Sequence, residues 1–525
     1  MVSVKDILGQ MKNPSVADEV LIRKAYAFAE KAHEGHTRYS GEPYFIHPTA
    51  VALQLAKMEL DAPTIAAGLL HDVIEDTHTS EEEVEHEFGR EVLFLVQGVT
   101  KLGTHKYRGA ERHAESLRRL LVATSADVRV LIIKLVDRYH NMTTLAHVPE
   151  LKRQRIALET VEIYAPIADR LGMGRLKSDL EDLAFPYIDP DAYQHTLELR
   201  KLKNKENENG LALVKKALQR ELVRKGFTTF RTDIRVKGLW SLHQKLKRKH
   251  DDITEIHDIA ALRVIVPTID DCYHVLGVIH MLWKPLPGNF KDYISFPKPN
   301  GYQSLHTTVV TSEAGIVEIQ IRTEEMHRRA QYGIASHMSY KTLGKDAPKN
   351  ASESFSFSWI RSLVPTLLRF SKKEESPATE EMIDRRRKKH TAPEWLTDLA
   401  DAHASIAGTE EFIAGLKEDF FSHRVFVFTP KGDVVDLPIN STPLDFAYAI
   451  HSDLGNHLQG AKVNGKLVAF DTELHNGDIV EAVTRPSARP SAKWLDYART
   501  SLARRHIRAV LSAEATTHVA KKPIR

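Results

Sequence analysis

The sequence predicts a multidomain protein, with an all-α N-terminal domain, an α+β domain behind it, and a small β-rich domain toward the C-terminus. Three observations carry this. Apolar residues recur every three or four positions in VADEVLIRKAYAFAEKAH, TIAAGLLHDVIEDT and ALETVEIYAPIADRLG, a helical period that lasts from about residue 17 to 195. The texture then changes to β-branched runs, IAALRVIV and TTVVTSEAGIVEIQIRT, the second reading as two strands around a Ser-Glu-Ala-Gly turn. Further on, RVFVFTPKGDVVDLP is two short strands around a Thr-Pro-Lys-Gly turn.

At 525 residues the chain exceeds one ordinary core, so three or four domains are expected. The divisions fall at 1–195, 196–345, a charged and partly helical linker over 346–415, the β-rich domain over 416–487, and a helical region over 488–525. The linker includes SKKEESPATEEMIDRRRKKH, polar and charge-blocked. A net charge of +3 does not point to nucleic acid by itself. Between Glu198 and His250, however, 16 Lys/Arg stand against 5 Asp/Glu, an excess that suits polyphosphate or RNA. The single cysteine, Cys272, excludes intramolecular disulfides and Cys-rich zinc fingers. No apolar run reaches membrane-spanning length, and MVSVKDILGQMKN lacks the order of a signal peptide. A cytoplasmic protein without a membrane partner is expected.

A first constellation lies in LLHDVIEDT. On a helix, His71 and Glu75 are one turn apart, as are Asp72 and Asp76, so four polar groups share a face beside the apolar Leu69, Leu70, Val73 and Ile74. Such rows are costly against a core unless something satisfies them, and a divalent metal does so. His47 in YFIHPTAVA and Asp137 in LIIKLVDRYHNM are two further candidate ligands. Two His and two Asp suit a borderline or hard ion such as Mn²⁺. Glu75 and Asp76, one turn away, could orient or deprotonate water. Asp137, His140, Asn141 and Thr144 again share a helical face.

The order His47, His71-Asp72, Asp137 resembles the HD phosphohydrolases, and GEPYFIHPTAVA, HDVIEDT and VDRYHNM resemble the hydrolase domain of the Rel/SpoT enzymes. The resemblance implies Mn²⁺-dependent removal of the 3′-pyrophosphate of ppGpp and pppGpp. It gives His47, His71, Asp72 and Asp137 the metal, Glu75 and Asp76 the water, and Arg38, Asn141 and Thr144 the nucleotide. One departure is visible, since Tyr39 stands where these hydrolases commonly have Lys.

The second domain offers Asp258 before IAALRVIV and Glu318 in VEIQIRT. In that strand Val317, Ile319 and Ile321 point one way, and Glu318, Gln320 and Arg322 the other. Two carboxylates among many cations fit Mg²⁺ and nucleotide phosphates, and no Walker-type Gly-rich loop is present. On residues alone, nucleotide and RNA both remain open. HDIAALRVIV, FKDYISFPKPNGYQSLHTTV, EIQIRT and GIASHMSYK resemble the nucleotidyltransferase-like synthetase domain of the same family. That implies pyrophosphate transfer from ATP to the 3′-hydroxyl of GDP or GTP. Asp258 and Glu318 would hold Mg²⁺, with Glu318 taking the hydroxyl proton. Arg235, Lys237, Lys245 and Arg263 would meet the ATP phosphates, Lys298 and His306 those of the guanosine nucleotide, and Tyr302 would stack on guanine. The departures are Asn289 in place of Arg, Gln331 of Glu and Met338 of Trp, and RVKGLWS for the usual Gly-Arg-Pro-Lys opening.

VFVFTPKGDVVDLPINSTPLDFAYAIHSDLG and GAKVNGKLVAFDTELHNGDIVEAVT resemble a TGS domain, a small β-grasp module. This implies uncharged tRNA and the ribosome as partners, with His451 at a contacting position. The chain ends at Arg525 without the zinc-finger-like and ACT domains usual in long members, which a truncated chain and a naturally short member would both explain. Three functions stand open: a bifunctional alarmone synthetase/hydrolase, a hydrolase with a nucleotide-sensing synthetase domain, and a ribosome- or tRNA-binding stress factor with vestigial sites.

Overall fold

The computed structural model describes residues 2–100, 127–253, 256, 259–298, 300–336, 424–431, 434–475 and 477–519. The expected linker, Asp258 and Met338 therefore lie outside the described residues. The chain divides into two compact units, Met1–Val96 with Ile132–Asp346, and Gln97–Leu131 with Ala347–Arg525.

The first unit begins with helices. We name them α1 (Val4–Leu8), α2 (Val16–Ala32), α3 (Ile46–Lys57), α4 (Ala62–Leu70), α5 (Val73–Asp76), α6 (Glu81–Thr100), α7 (Val128–Thr143), α8 (Glu150–Glu159), α9 (Ala165–Arg170), α10 (Gly174–Ile188) and α11 (Pro190–Arg224). Their starts are written locally. Ser15 and Asp18 close a capping box on α2, and Asp61 accepts from the Thr64 amide at the head of α4. Ile22 and Ala25 of α2, Val51 and Leu55 of α3, and Ile65 and Leu69 of α4 are fully buried, each large side chain contributing about 1.5–3 kcal/mol. Gly68 lets α3 and α4 approach closely, because a Cβ there would collide with Leu55. Helix α11 runs unbroken through the 195/196 division drawn from the sequence.

The second part of this unit is a six-stranded mixed sheet, in the order β1 (Arg231–Val236), β2 (Ala260–Val266), β6 (Gly315–Thr323), β5 (Leu305–Thr311), β3 (Lys284–Pro285), with β4 (Lys291–Asp292) also on β5. Only β2 and β6 run parallel. The alternation expected for VEIQIRT holds. Val317, Ile319 and Ile321 join Leu262 and Val264 in a core closed by Leu218 and Leu222 of α11 and by Val275 and Ile279 of α13 (Ile269–Leu282), whose N-terminus is capped by Thr268 and Asp271; α12 (Leu239–Arg248) precedes β2. The other face carries Asp233, Arg263, Glu318, Gln320 and Arg322, and α14 (Glu324–Tyr332) follows β6 and packs back on it.

The two parts of this unit are joined at a glycine turn. Ile334 N donates to Leu171 O at 2.9 Å, and Asn300 Nδ2 to Asp169 O at 3.1 Å. Gly333 sits at φ +55°, where a Cβ would strike the Leu171 carbonyl. Gly333→Ala should therefore lower unfolding stability by about 2–4 kcal/mol, combining left-handed strain with overpacking; a urea melt checks this.

In the second unit, β7 (Arg424–Phe428) and β8 (Val434–Pro438) form the hairpin read from RVFVFTPKGDVVDLP. Then come α15 (Pro443–Ile450), α16 (Ser452–Asn456), and β9 (Leu458–Val463), β10 (Lys466–Val468) and β11 (Val480–Thr484) in the order β10-β9-β11. A parallel bridge from Phe428 to Ile479 links hairpin and sheet, giving the β-grasp arrangement expected. The helical C-terminal region is α17 (Trp494–Tyr497) and α18 (Ser501–Val519). Asp445 of α15, fully buried, ties it in by accepting from the Arg499 and Thr500 amides. Among the described residues no helix is long and apolar enough to cross a membrane.

Candidate active sites

The first site is built where α3, α4, α5 and α7 meet. His47 comes from the first turn of α3, His71 from just past α4, Asp72 from the residue before α5, and Asp137 from α7. The expected single helix across LLHDVIEDT is corrected here: the helix ends at Leu70 and restarts at Val73. His71 and Asp72 themselves keep right-handed backbone angles across the interruption, φ −62° and −99°. His47 Nε2 lies 3.2 Å from His71 Nε2, 3.5 Å from Asp72 Oδ2 and 3.3 Å from Asp137 Oδ1. His71 Nε2 lies 3.2 Å from Asp72 Oδ2 and 3.9 Å from Asp137 Oδ1. The ligand atoms of His47, His71 and Asp137 all fall within 4.8 Å of one another. Asp72 joins through its contacts with both imidazoles.

The surroundings aim these donors. The Gly68 carbonyl lies 2.9 Å from His71 Nδ1 and accepts its proton, so the neutral imidazole turns an unprotonated Nε2 toward the cluster. Arg38 Nη1 reaches His140 Nδ1 at 3.2 Å; a guanidinium only donates, so that nitrogen accepts. His47 Nδ1, 2.8 Å from the same nitrogen, must then carry its proton, and its neutral imidazole likewise has an unprotonated Nε2. Burial and the charges of His47 and Arg38 push His140 down to about 3, so it stays neutral. Arg38 also donates to Asn141, which donates to Asp137, and Lys134 Nζ holds Asp137 Oδ2 at 2.9 Å. Arg138 turns away, to Glu159 and the face of Tyr164. Two imidazole nitrogens and two carboxylates, with outer partners satisfied, fit a divalent metal.

Glu75 lies at the exposed edge of this site, its carboxyl raised by partial burial and by the negative charges of Asp72 and Asp76, against the pull of Lys134. Asp76 receives the Tyr44 hydroxyl at 2.6 Å, and the same hydroxyl is 2.8 Å from Asp72 Oδ2. Thr144, just past α7, turns its hydroxyl back toward the His140 and Asn141 carbonyls.

The second site lies on the polar face of the sheet. Tyr302 OH and His306 Nε2 are 2.8 Å apart, His306 Nδ1 is 3.0 Å from Glu318 Oε1, and Gln320 Nε2 donates to the same oxygen at 3.0 Å. Lys298 Nζ lies 5.2 Å from the Tyr302 ring and 4.9 Å from that of Tyr293, a cation stacked among aromatics. Burial lowers its pKa from the ordinary lysine value. Arg263 Nη1 is 3.4 Å from Asp233 Oδ1. Arg235 and Lys237 stand at the end of β1, and Lys245 on α12.

Three family models match in turn: an HD domain over residues 25–174, the region found in RelA/SpoT proteins over 234–345, and a TGS domain over 425–484. A GTP pyrophosphokinase of Myxococcus xanthus is 43% identical over 505 residues, covering 94% of this chain and 60% of that one. The guanosine-3′,5′-bis(diphosphate) 3′-pyrophosphohydrolase of Vibrio cholerae is 40% identical over 511 residues, covering 97% of this chain and 67% of the relative. The chain belongs to the RelA/SpoT family. It spans 60% of the length of the Myxococcus relative and 66% of the Aquifex aeolicus pyrophosphohydrolase, to which it is 43% identical.

For this RelA/SpoT chain, the structure brings His47, His71, Asp72, Asp137, Arg38 and Asn141 into one connected cluster, with Glu75 and Asp76 at its edge. It brings Glu318, His306, Tyr302 and Lys298 into a second. His451 is exposed between α15 and α16, where Nδ1 accepts from the Asp453 amide. Tyr44 and Lys134 were not anticipated as parts of the site. Tyr44 stands three residues before His47, on a loop whose path no periodicity reveals. Lys134 is one turn before Asp137, a spacing that could have flagged it.

Without metal, burial opposes charge on His71, but the Asp72 carboxylate outweighs it and pushes the imidazole up to about 9. A folded pKa above the unfolded 6.5 stabilises the metal-stripped fold fully below that value, and the gain is lost as pH rises through about 9. An arriving cation must displace this proton. Divalent-metal affinity should thus rise about tenfold per pH unit from 7 toward 9, with one proton released. Calorimetry in buffers of different ionisation enthalpy measures that release.

Proposed function

We propose that this chain removes the 3′-pyrophosphate of ppGpp and pppGpp to give GDP or GTP plus pyrophosphate, and that it also makes them. In synthesis the β,γ-pyrophosphate of ATP passes to the 3′-hydroxyl of GDP or GTP. The observation that carries the reading is the convergence of His47, His71, Asp72 and Asp137, with the Nε2 atoms of both imidazoles 3.2 Å apart. The names of the relatives, a pyrophosphokinase and a pyrophosphohydrolase, agree with two opposed activities.

In the hydrolase site these four residues would hold Mn²⁺, which when bound supplies Lewis-acid polarisation and activation of water. Glu75 accepts the proton of the attacking water, and its raised pKa strengthens it as a base. Tyr44 fixes Asp76, which orients the water, while Arg38, Asn141 and Thr144 face the nucleotide. In the synthetase site Glu318 takes the proton of the 3′-hydroxyl, and with Asp258 would hold Mg²⁺. His306 orients Glu318 and, with Lys298, meets the guanosine phosphates; Tyr302 stacks on guanine. Arg235, Lys237, Lys245 and Arg263 take the ATP phosphates. The exposed His451 would contact uncharged tRNA on the ribosome. A cytoplasmic location and the domain divisions at 345, 415 and 487 complete this reading, the division at 195 falling inside α11.

The test is two incubations, ppGpp with Mn²⁺, and ATP plus GDP or GTP with Mg²⁺, resolved by anion exchange. Pyrophosphate with GDP in the first and ppGpp or pppGpp in the second are expected. A first incubation without product refutes hydrolysis, and a second without product leaves a hydrolase alone.

A further inference from the structure

Five of the ten buried side-chain polar atoms without a hydrogen-bond partner among the described residues belong to one end of the sheet's polar face and the helix covering it. They are Nε of Arg263, Nε of Arg322, Nδ1 of His327, Oε1 of Gln320 and Oδ1 of Asp233. The strand register explains their gathering. Asp233 lies beside Arg263, and Arg263 beside Gln320, in one row across β1, β2 and β6. Arg322 follows two residues along β6 on the same face, and His327 descends from α14.

Three of the five atoms are donors. Both Nε atoms carry protons whatever the conditions. The Gln331 amide nitrogen lies 3.1 Å from His327 Nε2, so the imidazole accepts there and carries its proton on the unpartnered Nδ1. Burial, then Arg322 and Arg263, hold this imidazole down to about 3, so it is neutral and donates without adding charge. Arg322 is 3% exposed, and burial followed by the like charges of Arg263 and Arg235 brings its pKa down to about 10. Asp233 answers one guanidinium, at 3.4 Å from Arg263. Buried donors left unmade, and guanidiniums pressed together, are costly to a fold. A planar guanidinium fork with spare N–H groups matches the oxygens of a phosphate group.

We propose that Arg322 is a further phosphate-binding residue of the synthetase site, seating a nucleotide phosphate together with Arg263 and the His327 Nδ1–H. The proposal rests on the nucleotide reading of that site and adds a residue to it. Tyr302 is close enough to act electrostatically on both guanidiniums, so the phosphate is offered either by ATP or by the guanosine nucleotide.

Binding to the full chain is measured by calorimetry, with a non-hydrolysable ATP analogue in one arm and GDP in the other, for the parent and for Arg322→Met. Mn²⁺ binding at the hydrolase site reports folding. An affinity loss of tenfold or more in either arm, with Mn²⁺ binding intact, supports the seat, and the arm that loses identifies the donor. Parental affinities in both arms overturn it. Should Arg322→Met not fold, Arg322→Lys is read in the same way, because an ammonium lacks the Nε–H and the fork. A parent that binds neither nucleotide refutes the nucleotide reading itself and the seat with it, whereas binding that ignores the substitution sinks the seat alone.

Discussion

Asp72→Ala should abolish ppGpp hydrolysis and metal binding together. Its Oδ2 lies 3.2 Å from His71 and 3.5 Å from His47, and its charge is what keeps His71 raised to about 9. Removing it takes away one of four donors and half of the negative charge that Asp72 and Asp137 supply. A bound cation is worth several kcal/mol of charge stabilisation, which converts to a rate loss on the order of 10³-fold. Glu75→Gln makes the informative contrast. The amide cannot take a proton, so the rate should fall about 10²- to 10⁴-fold while metal still binds. Tyr44→Phe should cost less, about 10- to 100-fold, because it frees Asp72 and Asp76 without removing either. Hydrolysis at the parental rate in Asp72→Ala, with Mn²⁺ supplied, would show the metal assignment to be wrong.

Glu318→Gln carries the second large effect. The carboxylate is placed by two neighbours, His306 Nδ1 and Gln320 Nε2, each 3.0 Å from Oε1. An amide keeps the size and can still meet His306, but it cannot accept the 3′-hydroxyl proton. Synthesis should drop by about 10²- to 10⁴-fold. Hydrolysis should stay near the parental rate, since this cluster stands on the sheet and the first on α3, α4, α5 and α7. Synthesis surviving in Glu318→Gln would move the base elsewhere.

Much of this was legible in the sequence because periodicity reports faces. The alternation in VEIQIRT separated Val317, Ile319 and Ile321 from Glu318, Gln320 and Arg322, and the sheet keeps that division. The hairpins at 305–323 and 424–438 followed from their turn residues. What periodicity misreports is an interruption. LLHDVIEDT reads as one helix, yet the helix ends at Leu70 and restarts at Val73. Tyr44 was hidden because a loop carries it into the site. The closeness of Arg263, Arg322 and His327 was hidden because strand order, β1-β2-β6, is not a property of any one segment. Asp258, expected beside Glu318, lies outside the described residues.

Pyrophosphate release from ppGpp by the parental chain, first treated with chelator and then titrated with Mn²⁺, decides whether hydrolysis depends on this cluster. We expect no release after chelation, and recovery that saturates at one Mn²⁺ per chain with GDP as the second product. Release that persists after chelation, or none at any Mn²⁺ concentration, would contradict a metal-dependent hydrolase built on His47, His71, Asp72 and Asp137.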